Sequence, residues 1–174
     1  EKEPWEQALR NLQDWGGLLL LDKEIQDDHE WANRIHWALK LQINPLTALI
    51  ARASSCPKIA QRLQLPIQQQ NLLSESLELQ KSLSKIYLSK SYVEWSPSAW
   101  CRFIENNNWH PDVVALTICL RDPLWKPLLR WLKRWSLVKS PSSAQELMQQ
   151  GLKPGPLLRQ ELRRLRDNRL DRLH

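Results

Sequence analysis

The chain has 174 residues, a formal net charge of +6 and only four glycines, enough for one sizeable helical domain or a domain with a small appendage. So few glycines argue against a sheet protein full of tight turns. Cys56, Cys101 and Cys119 are widely spaced and odd in number, which supports neither a zinc ribbon nor a disulfide framework, and no apolar run is long enough to cross a bilayer. A reduced, cytoplasmic setting is expected. No signal peptide is visible and the sequence does not begin with Met, which suggests a piece of something longer.

Pro4 opens a helix predicted to reach about Trp15 and to close at Gly16-Gly17. Leu18–Leu21 then reads as a short buried segment. Asp27 or Asp28 can cap the next helix, whose stripe is Trp31, Ile35, Ala38 and Leu39. Asn44-Pro45 and Ser55-Cys56-Pro57 each start a further helix, the second running through Leu63. Pro66 opens a long one to about Ser89, with Leu72, Leu73, Leu77, Leu83, Ile86 and Tyr87 on its apolar side. Ser96-Pro97, His110-Pro111 and Asp122-Pro123 start three more. Ser142 or Ser143 with Gln145 or Glu146 forms a capping box for the penultimate helix, which Gly151 ends. No stretch alternates as a strand would. The expected fold is all-α, an array of about eight to ten short helices with a C-terminal helical hairpin. A helical body over 1–138 and a basic helical tail over 139–174 are expected, divisible or continuous as one domain.

Charge is unevenly divided. Residues 121–174 carry 13 Lys and Arg against 5 Asp and Glu, whereas residues 1–120 carry 12 against 14. The whole positive excess therefore lies at one end, as a polyanion-binding surface requires. Laid out at 100° per residue, a helix over 123–138 collects Leu124, Trp125, Leu128, Leu129, Trp131, Leu132 and Trp135 on one arc. Lys126, Arg130, Lys133 and Arg134 form a separate arc without an acid. In the last helix Leu158, Leu162 and Leu165 are flanked by Arg159, Arg163 and Arg166. Two such faces suit phosphate-backbone binding, which is sequence-independent and salt-sensitive. Lys153 and the backbone around Gly155, in Gly151-Leu152-Lys153-Pro154-Gly155-Pro156, add a candidate phosphate nest at a helix start. The ten tryptophans read mainly as core, with Trp109 and Trp131 the better candidates for stacking on a base or ribose.

Catalytic patterns are missing. His29-Glu30 is followed by His36 at the wrong spacing for a zincin, and no Walker loop or GxSxG phrase occurs. Two blocks instead carry a family resemblance. The first is Leu20-Leu21-Asp22, Trp31-Ala32-Asn33-Arg34, Asn44-Pro45-Leu46 and Ile59-Ala60-Gln61-Arg62-Leu63-Gln64-Leu65-Pro66. The second runs from Ala144-Gln145-Glu146-Leu147 through Gly151-Leu152-Lys153-Pro154-Gly155-Pro156. Their order resembles the body and tail of bacterial tRNA nucleotidyltransferases, the CCA-adding enzymes and their poly(A) polymerase relatives. That resemblance implies a tRNA-binding C-terminal region that grips the acceptor/T-arm backbone while an N-terminal catalytic head of the same parent chain adds nucleotides. The head's Gly-Gly-x-x-Arg-Asp-type phrase and its Asp-x-Asp do not occur here. No catalytic residue, metal ligand or cofactor is therefore expected in this chain, magnesium belonging to the head alone, and the chain itself is not assigned an activity. The expected partners are tRNA or another RNA backbone and that head, with no membrane. A second reading is a helical protein-interaction module with a basic partner-binding end.

Overall fold

A computed structural model describes residues 4–172, leaving the outermost residues of the body and tail segments, 1–3 and 173–174, outside the description. Among the described residues there are eleven α-helices and no strand. They are α1 (Pro4–Asp14), α2 (Lys23–Gln26), α3 (Trp31–Lys40), α4 (Pro45–Ile50), α5 (Cys56–Arg62) and α6 (Ile67–Ser89). Then follow α7 (Pro97–Asn106), α8 (Pro111–Leu120), α9 (Trp125–Lys133), α10 (Ala144–Gln149) and α11 (Pro156–Asp171). The fold is an all-α helical array.

Helix starts follow local chemistry. The Asn44 side chain accepts the amides of Leu46 and Thr47 at 2.9 and 3.3 Å, Ser96 accepts that of Ala99, and His110 Nδ1 accepts that of Asp112. Proline follows each of these caps, where its missing N–H costs nothing and its fixed φ suits the first turn. The capping box is Ser143 with Glu146, the two bonds at 3.2 and 3.1 Å. Gly151, at φ +100°, ends α10 with both bonds of a Schellman turn: its own amide to Met148 and that of Leu152 to Leu147.

Helix α8 organises the interior. Every residue from Val113 to Leu120 is buried, as befits a helix that is apolar all round. Ala115, Leu116, Cys119 and Leu120 join a cluster built by α3, α4 and α5, while Val113, Val114 and Ile118 join a second one built by α7, α9 and the later half of α6. Thr117 is the polar exception. Its hydroxyl donates to the Val113 carbonyl at 2.9 Å and lies 3.0 Å from Ser76 Oγ on α6, so the buried group is satisfied.

Four expectations need correction. Of Leu18–Leu21 only Leu18 is buried, and Leu20 is 81% exposed, because Gly16-Gly17 leads into a 3-10 turn that directs one side chain inward. Asp22 caps the unforeseen α2 by accepting the Glu24 amide at 2.8 Å. On α3 the stripe is Trp31, Arg34, Ile35 and Ala38, with Leu39 exposed. Arg34, 3% exposed, takes the fourth place by ion-pairing with Asp28, and that carboxylate is the pairing and turn residue ahead of α3 rather than its N-cap. Finally, the helix expected over 123–138 spans only 125–133 and breaks at Arg134 before a 3-10 turn over 135–137. The carbonyls of Trp135 and Val138, released from a helical ladder there, accept from the Arg166 guanidinium.

Candidate nucleic-acid interface

The α9 segment sorts its side chains as an amphipathic helix should. Leu124, Leu128, Trp131 and Trp135 are buried and Trp125, Leu129 and Leu132 half-buried, whereas Lys126, Arg130, Lys133 and Arg134 are all exposed. On α11, Leu158 and Leu170 are buried, Leu162 and Leu165 half-buried, and Arg159 and Arg163 exposed. Lys153 is exposed in the connection from α10. None of these seven cations makes an ion pair or side-chain hydrogen bond among the described residues.

The acids of the same end are differently placed. Asp122 pairs with Arg52 at 3.2 Å, Glu161 with Arg164 at 2.6 Å and Asp167 with Arg102 at 3.7 Å. Glu146 belongs to the capping box, and Asp171 accepts the amide and hydroxyl of Ser98 at 2.9 and 2.8 Å. Every described carboxylate of this end thus has an internal partner, and none makes an ion pair with the seven cations, although Arg163 acts through space on Asp167 and Glu105. Field from those cations is left uncompensated at the surface.

Arg166 departs from its expected role. Its side chain is 21% exposed and forks onto Glu105 of α7, with Nη1 and Nη2 at 2.6 and 2.7 Å from the two carboxylate oxygens. It also donates to the Val138 carbonyl at 2.8 Å. A guanidinium so engaged fastens α11 to α7 and to the segment after α9, and it is not available to a phosphate. Burial disfavours the Glu105 carboxylate, but the Arg166 hydrogen bonds and charge and the Trp131 indole outweigh it and hold its pKa below the usual range. Trp131 is likewise removed from the stacking candidates: it is 5% exposed, with Nε1 donating to Glu105 at 3.3 Å. Trp109 is half-buried, packed against the second cluster.

The α9 and α11 faces are joined indirectly. Besides the Arg166 bonds, Arg169 Nη1 donates to the Lys139 carbonyl at 3.3 Å, placing two further exposed cations at the join. Sequence reasoning passed over this pair, although both lie in the basic third of the chain. At the start of α11, Gly155 has φ +154°, a backbone state that suits glycine alone, and a Cβ there would meet nothing within 4 Å. Gly155, Pro156, Arg159, Gln160 and Arg163 line an open pocket of about 460 Å³. Pro154 and Pro156 have no N–H, so the free backbone donors of this turn are the Gly155, Leu157 and Leu158 amides.

The chain matches no family model, no curated protein and no solved structure.

Among the described residues no group of histidines, cysteines and carboxylates is arranged to hold a metal ion. The three cysteines are buried and free. Burial pushes their thiols up, to about 11 for Cys56 and about 12 for Cys101 and Cys119, so little thiolate forms near neutrality. No helix of the described chain is long and apolar enough to cross a membrane.

Proposed function

We propose that this chain is an RNA-gripping region, the tRNA-binding body and tail of a nucleotidyltransferase whose catalytic head is a separate N-terminal unit. The observation that carries the RNA-binding part is the set of free cations: Lys126, Arg130, Lys133 and Arg134 on α9 and after it, with Lys153, Arg159 and Arg163 at the start of α11. Exposed and free of ion pairs, they suit a ladder of phosphates better than a partner of mixed charge. The nucleotidyltransferase part rests on the sequence resemblance alone. In this reading the helices hold the acceptor/T-arm half of tRNA by its backbone, so that the 3′ end reaches the head in a fixed geometry. The Leu157 and Leu158 amides, beside Arg159 and Arg163, would seat one phosphate at the dipole end of α11.

The test is binding of a blunt acceptor-stem minihelix at several salt concentrations. Affinity should fall steeply with salt, each phosphate contact adding about 0.7–0.9 to the log–log slope, and should differ little between stem sequences. A flat salt response would remove the electrostatic basis of the proposal. Capture by an acidic protein segment that RNA cannot displace would favour an adaptor instead.

A further inference from the structure

Away from the α9–α11 cations, the end of α8 brings two tryptophans and two cations together. The rings of Trp37 on α3 and Trp125 at the start of α9 lie 5.9 Å apart, tilted by 58°. Arg121, where α8 ends in a left-handed turn at φ 57°, has its guanidinium carbon 4.5 Å from the Trp125 centroid and 5.7 Å from that of Trp37. Lys40 Nζ lies 5.7 Å from the Trp37 centroid. Both cations are exposed and both indoles half-buried. Neither indole N–H has a hydrogen-bond partner among the described residues, whereas those of Trp31 and Trp131 are bonded to Gln13 and Glu105.

We infer that this cluster is a stacking site for unpaired nucleotides of single-stranded RNA. Three features favour that occupant. Indole rings and guanidinium groups are the surfaces on which unstacked bases settle, whatever their identity. Arg121 is already held against both rings, so ordering it costs a base little. The surroundings also repel acidic partners least: neither α3 nor α9 contains a carboxylate, and Asp122, the nearest in sequence, is paired with Arg52. Lys126, next to Trp125 and exposed, supplies a cation for the adjoining phosphate. The site shares Lys126 with the proposed duplex grip but is otherwise separate from it, since its ligand is a strand whose bases are free.

The probe is hexaadenylate, compared with an abasic hexamer of the same charge and followed by tryptophan fluorescence. Hexaadenylate should quench the emission and bind about ten-fold more tightly than the abasic strand. Arg121→Gln and Trp37→Leu should each abolish that preference while leaving blunt-duplex affinity within two-fold. Equal binding of the two hexamers by the wild-type chain overturns the inference, as does hexaadenylate binding that Arg121→Gln leaves unchanged. Better competition by hexaglutamate than by hexaadenylate would assign the cluster to an acidic peptide and overturn it equally. Arg121 is exposed, so its variant decides the matter even if Trp37→Leu does not fold. Failure of the blunt duplex to bind sinks the duplex grip and leaves the hexamer comparison to judge this site.

Discussion

The same residue type, arginine, serves three purposes here, and its surroundings decide which. Arg34 is enclosed; burial lowers its pKa to about 10, and Asp28 meets its charge inside the fold. Removing one partner of such a pair strands a buried charge. Asp28→Ala should therefore lower stability by about 3–5 kcal/mol in urea unfolding, while replacing both residues by apolar ones should restore much of it. Arg166 forms a partly exposed fork with Glu105, and Glu105→Gln should cost about 1–3 kcal/mol at neutral pH. The folded Glu105 pKa is depressed below its ordinary value of 4.5. Its contribution is thus fully present above that value and disappears as pH falls through the folded pKa. Thermal melts from pH 7 to pH 3 should show the wild-type advantage over Glu105→Gln shrinking below about pH 4.5. A constant difference would mean the charge on Glu105 does not matter. Arg130 and Arg159 are exposed and unpaired, which leaves them free for a phosphate.

Helix α9 joins a packing face to a ligand face, and the two should separate under mutation. Arg130→Glu with Lys133→Glu should weaken minihelix binding by an order of magnitude or more, about one decade of affinity per 1.4 kcal/mol lost. Because both positions are exposed, melting should shift by no more than about 1 kcal/mol equivalent. Trp131→Ala should do the reverse. It removes a buried indole from the second cluster and its bond to Glu105, at a cost of roughly 3–5 kcal/mol. Trp125, half-buried, should cost less than Trp131. An equal loss of stability from both would mean that burial does not rank them. The position of α9 was readable from the alternation of tryptophan, leucine and basic residues. Its end was not, because the break at Arg134 is stabilised by Arg166, thirty-two positions further along the chain.

At the scale of the whole molecule, the tail is fastened to the body rather than attached beside it. Leu170, 0% exposed, lies in the second cluster, Asp171 holds Ser98 at the start of α7, and Arg166 holds Glu105 at its end. Leu170→Ala should therefore cost about 2–5 kcal/mol. It should also shift a single unfolding transition, with circular dichroism and tryptophan fluorescence coinciding. Two separate transitions would make the division near residue 138 a true domain boundary.

Much of the architecture could be read in the residues themselves. Caps such as Asn44, Ser96 and Ser143, prolines in first turns and the glycine after α10 act within a few positions of their own helix, so their effects are local and visible in sequence. The gathering of cations beyond residue 120 was equally plain, since charge is counted without knowing the fold. Which of those cations stay free could not be read that way. Arg163 and Arg166 look alike in the helical pattern, yet one faces solvent and the other meets a glutamate sixty-one positions earlier. The Trp37–Arg121–Trp125 cluster was hidden for the same reason: Arg121 and Trp125 are only four positions apart, but Trp37 comes from α3 and reaches them only when α3 packs against α8. Local hydrogen bonding and periodicity are properties of a segment. Pairing, burial and the exposure left over are properties of the packed chain, and tertiary structure alone decided them.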